Sequence, residues 1–144
     1  PPAVVWPVVS DHELYGRLAP NLGKVEVVEG EGTGMRRRCE DTLGRGWTET
    51  CTLWNDGHEY AVAVDTADYP YPLGEMEGHW AARPDVGGSL VTMRFRFVPR
   101  PGVTGGAFAA VMLLAFRPVL RRILRGWERE LAARASAAAL AAHR

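Results

Sequence analysis

Apolar residues at Leu113, Phe116, Leu120, Ile123, Leu124, Trp127 and Leu131 recur at steps of three and four, the spacing that gathers side chains on one face of an α-helix. The pattern predicts a helix over residues 105–135, roughly 45 Å long. A core helix in a domain of this size needs less, so this one implies a broad sheet to lie across. Arg117, Arg121, Arg125 and Arg129 follow at steps of four, drifting from the edge of the stripe to its far side, where Arg122 joins them. Pro118 lacks the donor for the Leu114 carbonyl and predicts a kink near Arg117. The Ala-rich stretch 132–142 continues the helix and frays.

Upstream, Pro2 suits the first turn of a short apolar helix carrying Ala3, Val4, Val5, Trp6, Val8 and Val9, which Pro7 keeps short. Ser10 and Asp11 then stop it and cap a second short helix over 12–18, ended by Ala19-Pro20-Asn21. Period-two segments bounded by turn residues follow, at 25–29, 35–42, 47–54, 60–66, 76–82 and 90–98. Two helices, a run of antiparallel strands and one long helix make an α+β domain, and 144 residues make one such domain.

A three-residue loop at 44–46 sets Leu43 against Trp47 and Cys39 against Cys51. One face of the hairpin then holds Met35, Arg37, Cys39, Asp41, Glu49, Cys51 and Leu53; the other holds Arg36, Arg38, Glu40, Thr50 and Thr52. In the last strand Val91, Met93, Phe95 and Phe97 alternate with Thr92, Arg94 and Arg96. The dry faces need a cover, and the long helix is the element expected to supply it. Arg37 and Glu49 share the dry face, diagonally placed, and charges there either pair or face a hydrated cavity.

Zero net charge gives no electrostatic support to nucleic-acid binding. Of seventeen basic residues only Lys24 is a lysine. Two cysteines build no disulfide framework, so the cytoplasm is the expected compartment. The apolar run 107–116 is too short to span a bilayer. His12, His58, His79 and His143 lack metal-ligand spacing, and no phosphate or dinucleotide fingerprint is present, so neither metal nor cofactor is expected. The Arg row, interrupted by Glu128 and Glu130, reads as a solvated face in preference to a membrane contact.

The opening Pro2-Ala3-Val4-Val5-Trp6, with Asp11, Tyr15 and Pro20, resembles the start of START-like domains of the polyketide cyclase and lipid-transport group. Gly32, Gly34 and Arg37 match that group's GxGxxR strand, Trp47 and Glu49 its wxE strand, and Gly78 and Trp80 its GxW strand. The resemblance covers nearly the whole chain. It implies the helix-grip fold, a curved antiparallel sheet around a long helix with an apolar cavity between them. The family's first strand would precede Pro1, so either the chain begins late or the strand at 90–98 has an unpaired edge.

Expected ligand-binding residues are Met35, Arg37, Cys39, Glu49, Cys51, Met93, Phe95, Phe108, Met112 and Phe116. Phe108, Met112 and Phe116 are expected to line the cavity, and Leu124 and Trp127 to anchor the fold. Arg37 and Glu49 either brace the sheet or hold a polar ligand head. His79, Tyr60, Tyr69 and Tyr71 are further hydrogen-bonding candidates, with His79 on the opposite side from Trp80. Binding of a lipid, isoprenoid or polyketide-like molecule is favoured; an aromatase/cyclase and a protein-interaction groove are the alternatives.

Overall fold

The protein is described by a computed structural model covering residues 1–142. Helix α1 (Pro2–Val9) starts with Pro2 at its first position, where the missing N–H has no helical partner to lose, and also encloses Pro7. Asp11 caps α2 (His12–Leu18), its Oδ1 accepting from the Leu14 N–H at 2.8 Å. Extended backbone at Ala19, the residue before Pro20, ends it.

Strands β1 (Leu22–Glu29), β2 (Arg36–Asp41), β3 (Gly46–Asn55), β4 (Glu59–Val64), β5 (Leu73–Asp85) and β6 (Gly88–Pro99) form one antiparallel sheet in sequence order. β6 pairs with β5 and, among the described residues, with no other strand. Helix α3 (Val103–Ala142) runs 40 residues with Pro118 inside it. By length and composition α3 is apolar enough to cross a membrane, although the run 107–116 alone is not.

The β2–β3 loop departs from expectation. Cys39 lies opposite Trp47 and Glu40 opposite Gly46, and the Asp41 N–H donates to the Arg45 carbonyl at 2.9 Å, so the turn centres on Leu43 in place of Arg45. The cause is Asp41, whose Oδ1 accepts from the Leu43 N–H at 2.8 Å and the Arg45 N–H at 2.9 Å. This Asx-type arrangement sets the turn two residues earlier in the chain. Each residue's partner shifts by four, an even number, so the side chains ahead of Leu53 keep their faces. Arg37 now sits directly opposite Glu49, not diagonal to it. Cys51 pairs with Val62 of β4. A bulge between Cys51 and Leu53 then turns Leu53 out to 40% exposure and Trp54 inward.

The sheet's dry face has two covers, where α3 alone was expected. Over one half, Trp6 and Val8 of α1 and Leu14 and Tyr15 of α2 join Tyr60, Trp80, Ile123 and Trp127 in a single core. A β-carbon on Gly126 would lie 2.6 Å from Leu18 Cδ2, so the glycine lets α3 pass close over α2. The first half of α3 crosses the remaining half of the sheet without filling the space beneath it. Leu124 is half-buried, and Leu113, expected in the inner stripe, faces outward at 64% exposure. The inner line of this half is instead Phe108, Met112, Phe116 and Val119.

Trp127 is fully buried, and its indole N–H has no partner among the described residues. Trp127→Ala is therefore expected to cost about 3–5 kcal/mol in urea unfolding. Trp127→Phe should cost much less because no hydrogen bond is lost. Leu114→Ala, on the outer surface, should stay within about 0.5 kcal/mol of wild type.

Candidate functional site

A cavity of about 240 Å³ lies between the sheet and the first half of α3. Its sheet wall comes from inward residues of β2 to β6, including Arg37, Glu49, Val62, Trp80 and Phe95. Its helix wall is Phe108, Met112, Ala115, Phe116 and Val119. Six of the expected residues meet there: Arg37, Glu49, Phe95, Phe108, Met112 and Phe116. The other four lie elsewhere. Met35 borders a separate surface recess with His12 and Trp54. Cys39 packs with Val25 and Trp47, Met93 packs against the main core, and the Cys51 thiol donates to the Leu53 carbonyl at 3.1 Å.

At the innermost end, Arg37 Nε donates to Glu49 Oε2 at 2.8 Å, and Nη2 approaches the same oxygen at 2.7 Å. Nη1 lies 2.8 Å from His12 Nδ1. Arginine only donates, so Nδ1 accepts and the His12 ring is neutral with its proton on Nε2. Tyr15 and Trp80 flank the guanidinium, with Cζ 5.5 and 5.6 Å from their ring centroids. Burial works against the Arg37 charge, but Glu49 together with Cys39, Tyr60 and Tyr15 holds the guanidinium protonated above its ordinary range. Burial, then the charge of Arg37, lowers the His12 pKa to about 3. Glu49 Oε1 accepts from Trp47 Nε1 at 2.8 Å. The buried charges are thus bonded to protein groups on every side.

A second polar knot closes the other end. Asp41 Oδ2 accepts from Tyr71 OH and Arg45 Nε, each at 2.7 Å. Desolvation opposes its charge, yet the Tyr71, Arg45 and Leu43 donors hold its carboxyl well below the usual range. Tyr71 stacks on Phe108 at 5.3 Å and 17°, joining this knot to α3.

Two polar groups on cavity-lining residues lack a strong partner: the Trp80 indole N–H, buried and without a hydrogen-bond partner among the described residues, and the Tyr69 hydroxyl. Among the described residues the Tyr69 hydroxyl has only the Met76 thioether as partner, at 3.6 Å, and a thioether is a weak acceptor. Burial pushes the Tyr69 pKa above its ordinary value, so it stays a neutral donor. Tyr60 is excluded from this role: it stacks on Trp80 at 4.8 Å and donates to the Val9 carbonyl at 3.2 Å. His79 sits on the far side from Trp80, 2.9 Å from Glu59 Oε2. No cluster of potential metal ligands occurs among the described residues, and His143 lies outside them. Met76, Gly78 and Trp80, whose alternation along β5 was the available signal, complete the wall. A side chain at Gly78 would collide with the Trp80 ring, which lies across it.

The Arg37 cluster generates two predictions. Glu49→Leu strands a buried guanidinium and should cost about 3–5 kcal/mol. Glu49→Gln, which still accepts from Arg37, should cost clearly less in the same urea titration. Separately, His12 is neutral when folded but protonated below about pH 6.5 when unfolded. Its contribution is complete above that pH and is lost as pH falls toward about 3. The slope should reach about 1.4 kcal/mol per pH unit, and His12→Asn should flatten it between about pH 6 and 4.5, measured by urea titrations at stepped pH.

Comparison with known proteins agrees with this architecture. The family described as polyketide cyclase/dehydrase and lipid transport matches residues 1–132. No curated protein matches the chain. Among solved structures, the Zhui aromatase/cyclase from Streptomyces sp. R1128 superposes with a TM-score of 0.71 at 22% identity, over 91% of this chain and 88% of that one. TTHA0849 from Thermus thermophilus gives 0.71 at 22% identity, over 92% and 90%. The di-domain ARO/CYC StfQ from the steffimycin biosynthetic pathway gives 0.73 at 14% identity, over 92% of this chain and 47% of that one. These likenesses carry the helix-grip fold. The match over residues 1–132 carries the family: this chain belongs to the polyketide cyclase/dehydrase and lipid transport family.

Proposed function

We propose that the chain binds a small apolar or aromatic molecule in the cavity beneath α3, without transforming it. The observation that carries this reading is the commitment of the cavity's charged groups. Arg37, Glu49 and Asp41 are each bonded to protein partners, while Tyr69 OH has a weak one and the buried Trp80 N–H, which does not ionise, has none among the described residues. Acid–base catalysis needs a group free to exchange a proton with the substrate. A binder needs an apolar wall and one or two orienting polar groups, which this cavity has. An engineered cavity of about 150 Å³ holds one benzene; this one, at about 240 Å³, suits a ligand of about two fused rings or a short isoprenoid. An oxygen on that ligand would meet the Tyr69 hydroxyl. The alternative reading, an aromatase/cyclase, draws on Tyr69 and Glu49 both facing the cavity.

Trp47 and Trp80 line the cavity, so their fluorescence reports its occupancy. Titration with 2-naphthol should quench them saturably. Met112→Trp, which fills the cavity, should abolish the signal, whereas wild-type behaviour in that variant would contradict the reading. Tyr69→Phe should weaken 2-naphthol by about 5- to 10-fold, the worth of one net hydrogen bond, and leave naphthalene unchanged. Equal losses for both probes would remove Tyr69 as the orienting group.

A further inference from the structure

Helix α3 has two apolar faces along its first half, and only one is covered. Outside, Val103 is 90% exposed, Leu114 81%, Leu113 64% and Val111 59%. At about 100° per residue, Val103, Val111 and Leu114 fall within an arc of about 80°. Arg121, Arg125 and Arg129 continue that same arc along the second half, with Arg117 and Arg122 at its edges. All five arginines are exposed, and among the described residues none has an acidic partner within the 4.0 Å of an ion pair. Several other surface arginines are paired, Arg36 with Glu29, Arg38 with Asp68, Arg96 with Glu75 and Arg134 with Glu130, while exposed Arg17 and Arg94, outside α3, stand singly among the described residues. No acidic residue occurs between Asp85 and Glu128. A chain of zero net charge therefore concentrates positive charge beside an exposed apolar stripe.

We infer that this outer face of α3 docks the protein on an anionic lipid bilayer. The apolar half enters the boundary between headgroups and acyl chains, and the arginines lie at the level of the lipid phosphates. A second copy of the chain fits the surface poorly. A two-fold dimer through this face sets arginines either against arginines or against the apolar half, with only Glu128 on the arc to compensate. The docked helix is the same one whose inner side walls the cavity, through Phe108, Met112 and Phe116. Docking thus places the cavity wall at the membrane surface, where apolar molecules accumulate.

The test is sedimentation of the purified chain with vesicles of phosphatidylcholine alone or mixed equally with phosphatidylglycerol. Binding is expected to the mixed vesicles only, and to weaken with added salt. Arg121→Glu with Arg125→Glu should reduce it at least about tenfold, and Val111→Asp with Leu114→Asp should do the same with every arginine retained. Circular dichroism and 2-naphthol titration of both variants should match wild type, which separates loss of docking from loss of fold or of the cavity. Equal binding to both vesicle types, no binding to either, or a solution dimer that Leu114→Asp dissolves would each overturn the inference.

Discussion

The guanidinium of Arg37 is a charge in the interior, and much of the structure is arranged to keep it there. Removed from water, it needs donors satisfied and charge neutralised together. Glu49 directly across the strand pair neutralises it, His12 accepts from its outer edge, and Tyr15 and Trp80 present ring faces to it. These partners come from α2, β3 and β5, so one side chain links the short helices to the sheet. Glu49 is held in turn by the Trp47 indole. The wxE pattern is thus a support for the arginine as much as a feature of the cavity.

The cavity exists because α3 is longer than the core beneath it. Its second half is fastened by Ile123, Gly126 and Trp127 over the helices and the sheet. Its first half bridges the sheet with spaced large side chains and is tied down through the Tyr71–Phe108 stack. Gly78 contributes by absence, since the missing side chain lets the Trp80 ring lie flat along the wall. Polar satisfaction and apolar volume are therefore separated in space: charges meet at the two ends, and the ligand space lies between them.

The sharing of one face by Arg37 and Glu49 is readable from parity alone, because the side-chain period of two survives any even shift of register. The register itself is not, since it depends on Asp41 folding back onto Leu43 and Arg45. Leu53 departs from its expected face for a related reason: a bulge inverts parity, and nothing in Thr52-Leu53-Trp54 announces it. In α3, periodicity finds a stripe but not which of two stripes faces inward. Leu113 fits the pattern, yet the choice is made by the strands packed against Phe108, Met112 and Phe116. Tyr69 has no periodic signal at all, because it lies between β4 and β5 in a segment without regular structure.

The central claim is that Arg37 and Glu49 hold the fold together and leave ligand recognition to the apolar wall. A double-mutant cycle with Arg37→Met and Glu49→Leu, read in both urea unfolding and 2-naphthol affinity, tests it most directly. The account predicts a coupling of about 2–3 kcal/mol in stability, with the double variant more stable than either single one, and almost no coupling in affinity. Near-zero coupling in stability together with a shared loss of affinity would contradict it.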